Sequence, residues 1–339
     1  MEVGMNNDGL AIVFTCDEGY MFPTGMAIYS LLITKNPESK YRIYILVDKL
    51  NIKYRKEIES LNRPDFRIIF REIENLEKYT SLANANRLPV SALYKFSIPD
   101  MVKEEQVCLS LDGDIIVKQD LADLASFNLE ESYVAAIKDS PKTLDDYSEE
   151  KHRLHPGIFN VEYFNGGVLL LNLKKMREDD IPEKLCEYRK SGYNQHFSMN
   201  QDTFNAIMYG HVKLLPFCYN TGLHVFRYIQ NEKKFNTMKE YYLIDEKKNE
   251  EEILEEAKII HFTGKGKPWK YYDVFYADRY RELYESSPLS NNKWNRISYY
   301  NDKVRKTIND IYDSKDYRLG HKILKGPRLL KGYLERRFK

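Results

Sequence analysis

The sequence has little cysteine, and what it has is not grouped. Cys16, Cys108, Cys186 and Cys218 are scattered over 339 residues without paired or metal-ligand spacing. That excludes a disulfide framework and a cysteine zinc site, and reads as reduced, buried thiols in a cytosolic protein. No uncharged apolar run approaches the roughly 20 residues needed to cross a bilayer. "MEVGMNNDGL" lacks the basic start and apolar core of a secretory signal. Internal repeats are also missing. Charge of one sign is not in excess overall, since the net value is +1. Its distribution is uneven, however. From Tyr317 to Lys339 eight Lys or Arg face one acid, a net +7, which leaves −6 for the remainder.

What is present is a long alternation of strand and helix patterns. "LAIVFTCDEGY" (10–20), "YRIYILVDKL" (41–50), "DFRIIFREI" (65–73), "EQVCLSLDGDIIV" (105–117), "YVAAIKD" (133–139), "GGVLLLNLKKM" (166–176) and "AKIIHFTGKGKPW" (257–269) each hold an apolar strand. Helical periodicity falls at 25–36 and 53–62, and a charged helix or loop at 245–258. This order predicts an α/β protein with a parallel, helix-covered sheet. Ligands of such sheets gather beyond the carboxyl ends of the strands. Asp17, Asp112, Asp114, Asp139 and His261 all fall at such ends.

"LDGDII" places two aspartates two apart, so in extended backbone both carboxylates point the same way. Gly113 between them allows close approach of backbone or ligand. Their mutual repulsion calls for a counter-charge, and a hard divalent cation supplies one. Alone the pair is unspecific, and an exposed turn would carry it equally well. A calcium EF-hand loop starting at Asp112 fails, because Ile116 and Val117 stand where an oxygen ligand and glycine are needed. An aspartyl-nucleophile phosphatase also uses two aspartates after a strand, but no downstream acidic pair follows a clear strand here. His261 taken alone reads as a satisfied core histidine. The "TGKGKPW" that follows brings two glycines and two lysines, a set of donors suited to phosphate oxygens, or else an ordinary turn before Trp269. Two carboxylates and an imidazole completed by phosphate oxygens suit Mn²⁺ better than Mg²⁺, which stays the alternative.

"IVFTCDEGY", "LYKFSIP", "LSLDGDIIV", "AAIKD", "YFNGGVLLLNLKKMR", "NQDTFN" and "HFTGKGKPW", in this order over about residues 10 to 275, resemble the bacterial glycosyltransferase family 8. The resemblance implies a single-domain A-type glycosyltransferase fold, Rossmann-like, with a mostly parallel sheet flanked by helices. It divides the chain into a catalytic domain, 1–275, and a basic helical extension, 276–339. It further implies retaining transfer of a hexose from UDP-glucose or UDP-galactose with Mn²⁺. By position, Asp112, Asp114 and His261 would hold the metal, and Gly264 and Lys267 the diphosphate. Thr15, Cys16, Asp17 and Tyr20 would line the uridine pocket, with Gly113 and Lys95 also on the nucleotide-sugar side. Asp139, Asn165 and Gln201 would face the donor sugar, with Asn200 beside them. Three positions depart from the family pattern. Gly19 stands for a common asparagine, Lys95 for an arginine, and Asn200 for an aspartate of some relatives, so no carboxylate nucleophile is offered there. Lys95 exchanges a bidentate fork for a point charge.

The expected acceptor is a saccharide, lipid-linked, in cell-surface glycan synthesis. A protein- or self-glycosylating transferase is the alternative within the fold, and a catalytically idle UDP-sugar-binding module the alternative outside enzymes. The tail interleaves Leu, Ile and Tyr with its basic residues, which fits an anionic membrane surface; docking on the body is the plainer reading. The expected place is the cytoplasm, on the inner face of the plasma membrane, with no nucleic-acid partner. The oligomeric state is not legible.

Overall fold

A computed structural model describes residues 9–83, 90–139, 149, 153, 155–160, 162–191, 199–291 and 295–303. The basic stretch 317–339 lies outside the described residues. Contacts divide the chain into two units. One runs to Gly264 and takes in Glu282–Asn292; the other takes in Lys265–Arg281 and the residues from Lys293 on. Residue 275, the boundary expected from the sequence, lies in the second unit.

The first unit is built on a seven-stranded sheet in the order β3-β2-β1-β4-β7-β6-β8. Its strands are β1 (Leu10–Thr15), β2 (Tyr41–Val47), β3 (Phe66–Glu72), β4 (Val107–Leu111), β6 (Val134–Lys138), β7 (Phe164–Asn172) and β8 (Val212–Leu214). Among the described strands of this sheet, only β7 runs antiparallel to its neighbours β4 and β6. The sheet is therefore mostly parallel rather than parallel throughout. Reversal places the first residues of β7 at the rim where its neighbours end.

The central strands are apolar on both faces, as a sheet covered on both sides requires. Leu10, Ile12 and Phe14 of β1 enter one core cluster and Ala11 and Val13 the other, following the period of two. Ile12 has no exposed surface; truncating such a residue to alanine costs about 2–5 kcal/mol. The first cluster includes Ala27, Ile28 and Leu31 of α1 (Met21–Thr34). Asp17 accepts from the Gly19 and Tyr20 N–H groups just before α1, and Pro23 sits in its first turn, where no N–H partner is needed. Short helices α2 (Arg55–Glu59), α3 (Leu76–Leu82), α4 (Ile98–Met101), α5 (Leu173–Glu178), α6 (Ile181–Lys190) and α7 (Met199–Met208) follow, with a 3₁₀ segment at Val90–Ser97. The helix expected over 53–62 is reduced to α2, because Tyr54 takes a left-handed conformation (φ 66°) ahead of it. Further on come α8 (Glu232–Tyr241) and α9 (Glu250–Glu256), the latter opened by an Asn249/Glu252 capping box.

A second, three-stranded sheet decides the position of the site. It joins β5 (Ile115–Val117), β9 (Thr221–Gly222) and β10 (Ile259–His261) in the order β5-β10-β9. The stretch 105–117, expected as one strand, thus breaks at Asp112–Gly113–Asp114 and passes from the large sheet to the small one. In the second unit, Trp269 packs against Tyr280 of α10 (Ala277–Glu285), and Tyr271 donates to Asp302. No described helix is long and apolar enough to cross a membrane.

Candidate active site

The small sheet brings the two aspartates and the histidine together. His261 pairs with Ile115 across the β5–β10 ladder, and Phe262 N–H donates to the Asp114 carbonyl at 2.9 Å. His261 Nε2 then lies 3.3 Å from Asp114 Oδ1 and 3.9 Å from Asp112 Oδ2. One ligand atom from each residue fits within a span of 4.8 Å. A lone pair and two carboxylate oxygens converging on one point repel unless a positive charge sits among them. The mixture of two hard oxygens and one imidazole nitrogen suits a divalent first-row cation.

Glycine is required here for reasons of space. A Cβ at Gly113 would lie 2.2 Å from Thr24 Oγ1, so what approaches closely is α1. A Cβ at Gly167 would lie 2.3 Å from His261 Cε1 and 2.9 Å from Asp112 Oδ2. Gly264 adopts φ +83°, the left-handed region open chiefly to glycine, three residues after His261.

The counter-charge of Asp112 within the protein is Lys95. Its side chain is 2% exposed, and its ammonium lies 2.7 Å from Asp112 Oδ1 and donates to the Gly166 carbonyl at 2.6 Å. Oδ1 is thereby engaged, while Oδ2 faces the histidine. Gly166 is available to Lys95 because the β6–β7 ladder is irregular. From Ala136 to Lys138 its partner on β7 moves from Leu169 to Phe164, so the intervening peptide groups find other partners. Gly166 N–H donates to Gln201 Oε1 at 2.8 Å, and the Gly167 carbonyl accepts from Asp112 N–H at 2.8 Å.

The residues expected on the donor-sugar side form the rest of the cluster. Asp139 accepts from Gln201 Nε2 at 2.7 Å on one oxygen and from Asn165 Nδ2 at 3.3 Å on the other. Asn165 Oδ1 accepts from Gly167 N–H and from Asn220 Nδ2, each at 2.9 Å. Asn220 Oδ1 in turn lies 2.8 Å from His261 Nδ1. Polar contacts thus run from His261 through Asn220, Asn165, Asp139, Gln201, Gly166 and Lys95 to Asp112.

Other expected site residues are placed as follows. Thr15 ends β1, partly exposed. Asp17 is occupied by its own turn and by Ser91 Oγ at 2.8 Å. Tyr20 stands near the pair: burial, then the charges of Asp114, Asp112 and Asp17, push its phenol up. Cys16 is buried in the core, its thiol directed to Met21 Sδ at 3.2 Å and pushed up to about 12 by burial. It can line a pocket only through its backbone. Asn200 turns to the Ala92 carbonyl (3.3 Å) and its own helix. Lys267 belongs to the second unit, where its ammonium lies 5.6 Å from the Trp269 ring centre. Sequence reasoning missed Asn220, Gly167 and Thr24. "NGG" before the apolar run was the available signal for Gly167; nothing marked the other two.

Residues 11–273 match the model of Glycosyl transferase family 8. The chain belongs to that family. A lipopolysaccharide 1,2-glucosyltransferase of Escherichia coli is 28% identical over 287 residues, covering 84% of this chain and 78% of its own. General stress protein A of Bacillus subtilis is 24% identical, covering 86% and 98%. A lipopolysaccharide 1,3-galactosyltransferase of Salmonella typhimurium is 23% identical, covering 92% and 88%. Among solved structures, galactosyltransferase LgtC in complex with donor and acceptor sugar analogues superposes with a TM-score of 0.65. It is 22% identical, with 82% of this chain and 96% of that one covered. The bifunctional glycosyltransferase WbbM gives 0.66 at 20% identity, and this family member spans half the length of that chain. The fold is the A-type glycosyltransferase fold, as expected.

Proposed function

We propose that this family 8 glycosyltransferase transfers glucose or galactose from a UDP-sugar, with retention and with a divalent cation, Mn²⁺ before Mg²⁺. The observation that carries this reading is the convergence of Asp112, Asp114 and His261 Nε2 within 4.8 Å. These three would hold the cation, which when bound stabilises negative charge on a departing diphosphate. Gly264 N–H is the group expected to grip the same diphosphate, and Tyr20 the ring expected against the base.

The protein's own groups favour one route to retention. Gln201 Oε1 already accepts from Gly166 N–H, and both oxygens of Asp139 are engaged. The amide oxygen of Gln201 is a weak nucleophile and each Asp139 oxygen is tempered by an N–H donor, which disfavours a covalent intermediate of the kind used by retaining hydrolases. Same-face attack by the acceptor hydroxyl, with the leaving phosphate taking its proton, is the reading this supports. Gln201 and Asp139 then hold the sugar's side of the site in place.

The acceptor read from the sequence is a lipid-linked saccharide. The net +7 of 317–339 would hold the enzyme on an anionic leaflet, at about 1 kcal/mol per basic group that reaches it. Truncation after Tyr312 is expected to abolish sedimentation with anionic vesicles; unchanged sedimentation removes the membrane reading. The catalytic reading is tested by a UDP-sugar panel, following UDP release with Mn²⁺ and candidate saccharides. Asp114→Asn should lower turnover at least about 100-fold, as loss of other charge-stabilising groups does. A variant within about tenfold of wild type, or release indifferent to Mn²⁺, would overturn it.

A further inference from the structure

We infer that Asn220 is a positioning residue that sets the tautomer of His261, keeping hydrogen on Nδ1 and a lone pair on Nε2. This rests on the reading of Asp112, Asp114 and His261 as a cation site, and it concerns what prepares that site before any cation arrives.

Two groups along the row have no choice of role. The Gly167 peptide N–H can only donate, and it meets the Asn165 amide at 2.9 Å, so that end of Asn165 is its oxygen. Asn220 approaches the same oxygen at 2.9 Å. Two oxygens there would repel, so Asn220 presents its NH₂. Its remaining end is then Oδ1, which only accepts, 2.8 Å from His261 Nδ1. Nδ1 must therefore carry a hydrogen. At the far end the NH₂ of Asn165 meets the Asp139 carboxylate at 3.3 Å, an obligate acceptor while ionised, so both ends of the row agree.

A neutral imidazole has a single N–H. With that on Nδ1, the lone pair of Nε2 faces Asp114 and Asp112. Asn220 is 4% and His261 3% exposed, so bulk water does not readily replace the amide. Without Asn220, the two carboxylates near Nε2 would draw the hydrogen to their side, and an Nε2–H cannot ligate. Partners that hold the second nitrogen of a metal-binding histidine are commonly worth 10–100-fold in metal affinity, on the order of magnitude known for such contacts.

The test reads the tautomer directly, by long-range ¹H–¹⁵N correlation spectra of metal-free, ¹⁵N-labelled full chain in mildly alkaline buffer. Calorimetric titration with Mn²⁺ alone follows. His261→Gln identifies the resonances. Wild type is expected to show Nδ1–H, and so is Asn220→Asp, which keeps an acceptor toward Nδ1 although its second oxygen then opposes Asn165 Oδ1. Asn220→Ala is expected to shift toward Nε2–H and to bind Mn²⁺ about 10–100-fold more weakly. Nε2–H in the wild type overturns the inference. So does Nδ1–H in Asn220→Ala with unchanged Mn²⁺ affinity. If Asn220→Ala does not fold, the wild-type and Asn220→Asp spectra still decide. Wild type that shows Nδ1–H yet binds no Mn²⁺ sinks the cation reading and leaves the role of Asn220 standing.

Discussion

Replacing Gly167 by alanine adds one methyl group, and the structure says where it goes. The new carbon would sit 2.3 Å from His261 Cε1, where contacts under 3.0 Å are essentially never found and 3.4 Å is ordinary. The ring must retreat by about 1 Å. It cannot do so freely, because Nδ1 is tied to Asn220 at 2.8 Å and the residue is held in the β10 ladder. Asp112 Oδ2 at 2.9 Å and Asn165 Oδ1 at 3.0 Å are pressed at the same time. Overpacking of this kind costs about 1–3 kcal/mol of stability. A displacement of about 1 Å at a reacting site costs on the order of 100-fold in rate. Gly167→Ala is thus expected to stay folded, with a melting temperature a few degrees lower, and to lose about 100-fold in Mn²⁺-dependent UDP release. Differential scanning fluorimetry and a coupled UDP assay read the two effects separately. Activity within about threefold of wild type, in a folded variant, would refute the claim that the glycine makes room for the imidazole.

Lys95→Met removes the buried partner of Asp112 and leaves the Gly166 carbonyl short of a donor. Breaking a fully buried pair costs about 3–5 kcal/mol; with the Asp112 side chain 38% exposed, about 1–3 kcal/mol is expected in urea unfolding, partly recovered by Mn²⁺. Equal stability with and without the substitution counts against the pairing. Asp120 gives a pH test. Burial alone would raise its pKa, but the N–H groups of Asn36 (2.7 Å) and Ala122 (2.8 Å) prevail and hold it low. Its stabilising effect is therefore complete above the unfolded carboxylate range near about pH 3.9 and fades as pH falls through the lower folded value. Asp120→Asn should cost about 1–2 kcal/mol at neutral pH and progressively less in acid. A gap that stays constant down to about pH 2 would contradict this.

The strands of the large sheet were legible because their side chains repeat with period two and both faces are apolar. The direction of β7 was not, since direction leaves no mark on composition. The break at Asp112–Asp114 was hidden because both flanks are strand-like, and only three-dimensional pairing assigns Ile115–Val117 to another sheet. Chemistry-bearing side chains could be named from the motifs. Their supporting contacts could not: Asn220 lies 41 residues from His261, and Lys95, itself named from the motifs, stands 71 from the Gly166 carbonyl that it holds. The same letters gave Cys16 a place at the nucleotide, while the structure turns its thiol into the core, since the period of two fixes its face.

The irregular stretch of β7 has a consequence for how this enzyme can fail. Beside the Asn165 amide, its contributions to the centre are the peptide groups of Gly166 and Gly167, and a side-chain exchange other than to proline leaves a peptide group in place. Exchange of neighbouring side chains leaves those donors and acceptors standing. An inserted or deleted residue between Phe164 and Leu169 would instead slide them past their partners, and with them the links to Gln201, Lys95 and Asp112. At this spot the protein is sensitive to the length of its chain as well as to its spelling.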